Sequence, residues 1–225
     1  MDIKLYSVCL AILLLVVTSF IYGLKFLKKR NYLLGIELLI VTFSASNFLF
    51  YFLSGAHFAY RISFFLDAFS RGFGIPVIAV AGLMAVTHRY KPSILMDVVF
   101  FGAAIAGTVA LVAADFVIQP RPYFYVVMWG AFSIYLAYFA KRLVSAGENL
   151  HAMGVILVLL SSQAIACIYD FYTIPGDDDH IVFYILAVTT WSFLSVELYY
   201  AYCALEGAEA NEQNSNKVST QVAPM

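Results

Sequence analysis

Apolar residues run along this chain in seven long blocks joined by short polar connections, at roughly 5–25, 32–54, 62–87, 94–117, 122–140, 150–173 and 181–204. Each block supplies about the 20 residues that a helix needs to cross a hydrocarbon core of about 30 Å. The pattern predicts an all-α integral membrane protein, a bundle of seven transmembrane helices formed by residues 1–205. No connection is long enough to hold another domain. After Glu206 the sequence GAEANEQNSNKVSTQVAPM has almost no large apolar residue, which predicts a disordered cytoplasmic tail over 206–225. Aromatic residues mark the block ends where interfacial belts are expected: Tyr123, Phe124 and Tyr125, Tyr169 and Tyr172, and Tyr199, Tyr200 and Tyr202.

The charges between the blocks set an orientation. Lys25, Lys28, Lys29 and Arg30 follow the first block, Arg89 and Lys91 the third, and Lys141 and Arg142 the fifth. The alternate connections carry Arg61, Arg121 and the acidic run Asp177, Asp178, Asp179. Basic residues in short loops stay cytoplasmic, which predicts an outside N-terminus and a cytoplasmic C-terminus. The first block has only Lys4 before it, offset by Asp2, the reverse of the charge arrangement of a signal peptide, so it reads as a retained helix. Short loops without an N-x-[ST] acceptor favour a bacterial inner (plasma) membrane.

Composition agrees: 63% of residues are hydrophobic, 17% aromatic and 12% charged, with a mean hydropathy of +0.86. So few charges could not cover a water-soluble domain of this length. No basic tract suited to nucleic acid is present, and the partner to expect is the lipid bilayer. Cys9, Cys167 and Cys203 all fall inside apolar blocks, which predicts buried free thiols and no disulfide framework.

In the fourth block, FFGAAIAGTVALVAAD, the pairs Gly102/Ala106, Ala103/Gly107 and Ala106/Ala110 lie four apart and admit the close approach of another helix. That face suits a homo-oligomer or a membrane protein partner. The third block contains Gly72, Gly74, Pro76 and Gly82. Pro76 removes a helical donor and clashes with the preceding turn, predicting a kink near Gly72 that serves either packing or a hinge.

Ionisable residues at membrane depth are the best candidates for function, because each is costly against lipid. Asp67 and Arg71 lie four apart and share one helical face, as a substrate site or as a self-neutralising structural pair. Glu37 and Glu197 fall at similar depth, where two carboxyls sharing a dry site would form a proton or cation site. Ser192 and Ser195 are the expected hydrogen-bonding neighbours of Glu197. Asp97 sits near a block end, where it reaches water. Thr42, Ser44, Ser46 and Asn47 in the second block and Ser161, Ser162 and Gln163 in the sixth need protein or water partners, as interhelical contacts or as a polar path. Asp177, Asp178, Asp179 and His180 could join Asp115, Asp170 and His57 around a cation, but no ligand spacing supports a metal site, and a solvated acidic loop is the expectation.

Several chemistries find no support. Every lysine lies at a block end or outside, so no mid-membrane amine can hold retinal as a Schiff base. No HExxH, GxSxG or Walker loop is present, His57, His88, His151 and His180 lie near block ends, and neither a catalytic residue nor a cofactor is expected.

The end of the first block (Ile21, Tyr22, Phe26, Lys28, Lys29) has the spacing of Ile134, Tyr135, Phe139, Lys141 and Arg142. The following blocks match in Asn31 and Asn149, Gly35 and Gly154, and Thr42/Ser44 and Ser161/Gln163. This is compatible with a 3+1+3 parallel repeat with a substrate site between the halves. In helix count and orientation the plan resembles the SWEET-type sugar carriers, whose proline-containing motif this sequence lacks. Two functions fit: a small-solute or ion carrier with Asp67, Arg71, Glu37, Glu197, Asn47 and Gln163 along its path, or a non-transporting membrane sensor or accessory subunit.

Overall fold

A computed structural model describes residues 3–90 and 92–222, with side chains to residue 211. Asp2 and Lys91, used in the charge reading, lie outside the described residues, as does the side chain of Lys217. The helices are α1 (Ile3–Lys28), α2 (Tyr32–Ser54), α3 (His57–Thr87), α4 (Ile94–Ala113), α5 (Arg121–Ser145), α6 (Asn149–Phe171) and α7 (Ile181–Val222). Among the described residues there is no strand, and seven helices are long and apolar enough to cross a membrane. The chain is a multi-pass membrane protein.

Local chemistry sets the helix ends. The Asn31 side chain accepts from the Leu34 N–H at 3.2 Å to start α2 and donates to the Gly82 carbonyl of α3 at 2.8 Å. Gly55 ends α2 at φ +71°, a left-handed conformation that costs glycine nothing. Ser93 caps α4 through the Met96 N–H, and Pro122 sits in the first turn of α5, where its missing donor is harmless. Two limits differ from the hydropathy blocks: α3 starts earlier, at His57, and α4 ends at Ala113, followed by a 3-10 turn at Asp115–Val117.

Helices α1, α2, α3, α5, α6 and α7 pack as a ring in that order, closed by α7 on α1, and α4 lies outside it against α3. Helix α3 runs through the interior: 67% of its apolar window is buried, against 22% for α4. Close approach between α1 and α2 uses Gly23 and Gly35, since a Cβ on Gly35 would meet the Leu27 side chain at 2.5 Å. Leu10, Ile134 and Leu150 point outward, as a lipid-facing surface requires.

Within α3, Ser70–Ala79 forms a π-helix. The kink expected from Pro76 therefore takes the form of wider turns, which accommodate the lost donor without breaking the helix. The small-residue face of α4 is turned away from the rest of the bundle. Gly102, Ala103, Ala106 and Ala110 are exposed, and it is Gly107 that meets α3, where a Cβ would overlap the Phe73 ring. The three thiols are free, but they are not buried: Cys167 is exposed and the others are partly so.

The composition change at Glu206 does not end α7, whose backbone stays helical to Val222. Its acidic residues meet the basic loops: Glu206 pairs with Lys29, and Glu209 pairs with Arg142 at 2.6 Å and Arg89 at 3.3 Å. Arg142 also donates to the Thr87 carbonyl at 2.6 Å, and the Thr87 hydroxyl bonds Tyr135 at 2.7 Å. These contacts tie the ends of α1, α3, α5 and α7 together.

At the opposite end Asp177 is buried, with its carboxylate accepting from the N–H groups of Val182 and Phe183 at 2.9 and 2.8 Å. One member of the acidic run is thus a helix cap, while Asp178 and Asp179 are exposed. Burial alone would raise the Asp177 carboxyl. The N–H groups of Val182, Phe183 and Ile181, with His180 nearby, outweigh it and hold the group below its ordinary value.

Two predictions follow from these ends. A chain stopped at Leu205 loses the ion pairs of Glu206 and Glu209, and is expected to lose about 1–2 kcal/mol, or roughly 3–7 °C in Tm; an unchanged melting curve in detergent would mean the extension adds nothing. Because the folded Asp177 carboxyl is depressed, its stabilisation is complete at neutral pH and is lost as pH falls below about 4. Asp177→Asn should cost about 1 kcal/mol at pH 7 and lose less than the parent on acidification.

Candidate functional site: a central cavity and its charged cluster

A cavity of about 120 Å³ lies inside the ring and is walled by all six of its helices, among others by Ile12, Ser44, Asp67, Arg71, Trp129, Tyr169 and Trp191. It follows α3 from Tyr60 to Ile75, the half nearer the acidic loop, and α4 contributes nothing to it. Its walls are mainly aromatic and aliphatic, with hydroxyls from Ser44, Ser63, Ser70 and Ser195. The volume is comparable to the engineered apolar cavities of about 150 Å³ that admit benzene.

The charged groups of the wall are Asp67 and Arg71. They make the i, i+4 pair that the sequence predicts, but at 3.6 Å, while Asp170 of α6 approaches the Arg71 Nη2 to 2.5 Å. The guanidinium is 4.1 Å from the Tyr125 ring centroid and 3.5 Å from that of Tyr169, and the Tyr169 hydroxyl donates to Asp67 at 3.2 Å. A self-neutralising pair is therefore corrected to a cluster of two carboxylates and one guanidinium joining α3, α5 and α6. Its formal charge is −1. Such planar stacking with carboxylate contact at the edges is a role that guanidinium fills and ammonium does not.

Glu37 is fully buried, and among the described residues neither oxygen has a hydrogen-bond partner of good geometry, although the Ser70 hydroxyl approaches the carboxyl. It faces the π-helical turn of α3, where a Cβ on Gly74 would overlap its carboxyl group. The nearby Ser70 hydroxyl, on the cavity wall, is also buried and unpartnered. An ionised carboxylate left this way costs several kcal/mol, a neutral carboxyl far less.

Glu197 is seated in the same manner on another helix: a Cβ on Gly154 of α6 would overlap its carboxyl, and His151 Nδ1 lies 3.1 Å from Oε1. The shared site expected for the two glutamates is not formed, because Glu37 lies against α3 and Glu197 against α6. Nor do the expected serines serve Glu197. Ser192 and Ser195 each donate to their own helix, at the Val188 and Trp191 carbonyls.

Asn47 and Gln163 are outside the cavity wall. Asn47 donates to the Phe43 carbonyl of its own helix, and Gln163 accepts from Ser133 of α5 at 3.1 Å. The Ser19–Thr42 contact at 2.9 Å and the Ser44–Ser63 contact at 3.3 Å join α1 to α2 and α2 to α3. Asp97 is buried, with Oδ1 unpartnered among the described residues, on the wall of a second cavity that opens at the basic-loop end. Sequence reasoning missed Tyr125, Tyr169 and His151 as site residues and considered Asp170 only as a cation ligand beside the acidic run. Tyr125 and Tyr169 sit at block ends and read as interfacial, and Asp170 is 99 residues from Arg71.

The cluster makes a mutational order that a simple pair would not. Arg71→Gln strands two carboxylates and should cost about 3–5 kcal/mol. Asp67→Asn leaves Asp170 on Arg71 and should cost less, and the triple change Asp67→Asn, Arg71→Gln, Asp170→Asn should recover much of the Arg71→Gln loss in thermal unfolding. Equal losses from Asp67→Asn and Arg71→Gln would restore the isolated pair.

No protein-family model matches the chain, and neither a curated protein nor a solved structure does, so what the site can do rests on this geometry.

Proposed function

We propose that the protein is a carrier that takes a small organic cation into the central cavity and passes it across the bilayer. The observation that carries this reading is the charge balance of the wall: Arg71 is engaged by Asp170 and stacked between two tyrosines, leaving Asp67 and aromatic faces to meet a guest. Aromatic walls attract cations through their ring faces, and more so when water is excluded. A neutral or anionic solute would meet a cluster of net negative charge.

The positive-inside distribution supports a cytoplasmic basic-loop end, so the cavity would be entered from outside while the ion pairs on Glu206 and Glu209 hold the inner end shut. A parallel repeat would pair α1, α2 and α3 with α5, α6 and α7 and leave α4 as the linker, a division with which the ring order is compatible. Rocking of two such halves is a recognised route to alternating access. Glu37, beneath the Ser70 wall, is the coupling carboxyl and exchanges a proton during the transport cycle. The path then consists of Asp67 and Arg71 with Glu37 beside it, while Glu197 and Gln163 hold helices together and Asn47 bonds only its own helix. A second reading, a non-transporting sensor or accessory subunit of an inner membrane assembly, draws on the exposed small-residue face of α4.

Reconstituted protein should exchange labelled choline or tetramethylammonium, whose permanent charge prevents passive leak, and not a carboxylate of equal size. Asp67→Asn should reduce exchange at least about tenfold, the equivalent of 1.4 kcal/mol. Glu37→Gln should retain exchange but lose accumulation driven by a pH gradient. Cation exchange absent from well-folded protein, with a stable membrane partner recovered instead, would favour the accessory reading.

A further inference from the structure

A second cavity, of about 150 Å³, opens at the basic-loop end between the α1–α2 connection, the last turns of α3, the start of α4 and Tyr202 of α7. It is separate from the central cavity and shares none of its wall residues. Two features show that its occupant carries both charges. Asp97 lines it, is 9% exposed, and has a carboxylate oxygen with no hydrogen-bond donor. Lys29 and Arg30 line it as well; Lys29 is engaged by Glu206, whereas Arg30 is exposed and has no ion-pair partner among the described residues. The Asp97 Oδ1 atom itself is closed off, but the residue forms part of the cavity wall, and a guest ammonium with N–H groups can donate to the side of the carboxylate that faces the cavity. Arg30 is suited to a phosphate.

The surroundings indicate where such a guest comes from. Tyr32 and Ile94 flank the cavity and are 41% and 72% exposed, so apolar surface continues from its rim down the flank of α4. Acyl chains can lie there while the headgroup enters. Basic pockets between helices at a membrane face are known lipid headgroup sites, and the addition here is the acid.

We propose that this cavity is a binding site for a phospholipid bearing a phosphoethanolamine headgroup, its ammonium donating to Asp97 and its phosphate on Arg30 beside Lys29. The site discriminates by N–H donors. A trimethylated headgroup has the same charges but cannot donate to the Asp97 oxygen.

Native mass spectrometry of the intact protein with equimolar phosphatidylethanolamine, its N,N-dimethyl form and phosphatidylcholine of identical chains tests this directly. Retention should fall along that series, with phosphatidylethanolamine favoured over phosphatidylcholine by about three- to tenfold, the worth of one net hydrogen bond. Asp97→Ala, which removes the acceptor, should bring the ratio to about one, while Arg30→Gln should lower retention of all three and leave their order unchanged. Equal retention by the parent protein overturns the proposal without recourse to any variant, as does an unchanged ratio in an Asp97→Ala protein of parental Tm. Stoichiometric retention of soluble phosphoethanolamine by delipidated protein would assign the site to a free zwitterion and overturn the lipid; no retention supports the lipid.

Discussion

Helix α3 is enclosed by its neighbours along most of its length, so its polar groups must be satisfied by other helices and not by water or lipid headgroups. That constraint organises the bundle. Ser63 meets Ser44 of α2, Arg71 meets Asp170 of α6 and the tyrosines of α5 and α6, the Gly82 carbonyl accepts from Asn31, and Thr87 bonds Tyr135 of α5. Each contact fixes the rotation and depth of α3 against one neighbour. Apolar packing in lipid does not do this by itself, since acyl chains are as apolar as leucine.

The two ends of the bundle are held by different chemistry. At the basic-loop end, long side chains on three helix ends reach the extension of α7, and several charges share few counter-charges. At the other end a single carboxylate caps the start of α7, and the interior opens into the cavity. Ion pairs among long, partly exposed side chains are weak singly and easily exchanged. A capping carboxylate on two backbone donors is stiffer. The cavity therefore lies in the half where backbone geometry, more than side-chain charge, sets the shape of the rim.

Most of the architecture was legible in the sequence because the bilayer leaves few solutions: a helix must satisfy its own backbone, and seven apolar blocks become seven helices. Asn31 marked a block start and Pro76 an irregularity for local reasons. The charged cluster was half legible. Asp67 and Arg71 are one turn apart, so their meeting follows from helix geometry, but Asp170 joins them only through the packing of α6 on the ring. Tyr125 was misread for a related reason, since an aromatic at a block end is the pattern of both an interfacial anchor and a stacked partner. Composition alone did not show that Glu206 and Glu209 face three basic loop ends. Depth brought Glu37 and Glu197 together in the sequence reading, although azimuth separates them.

Both deep glutamates occupy the place of a missing side chain, one at Gly74 and the other at Gly154. Acid and glycine form a volume-matched unit across two helices. In any related chain, enlargement of either glycine should therefore travel with a shorter residue opposite it, Asp, Ser or Ala in place of Glu. Paired changes at 37 with 74, and at 197 with 154, would record these contacts in sequences alone, and retention of the acid beside a persistently small neighbour would separate selection on its proton from selection on its size.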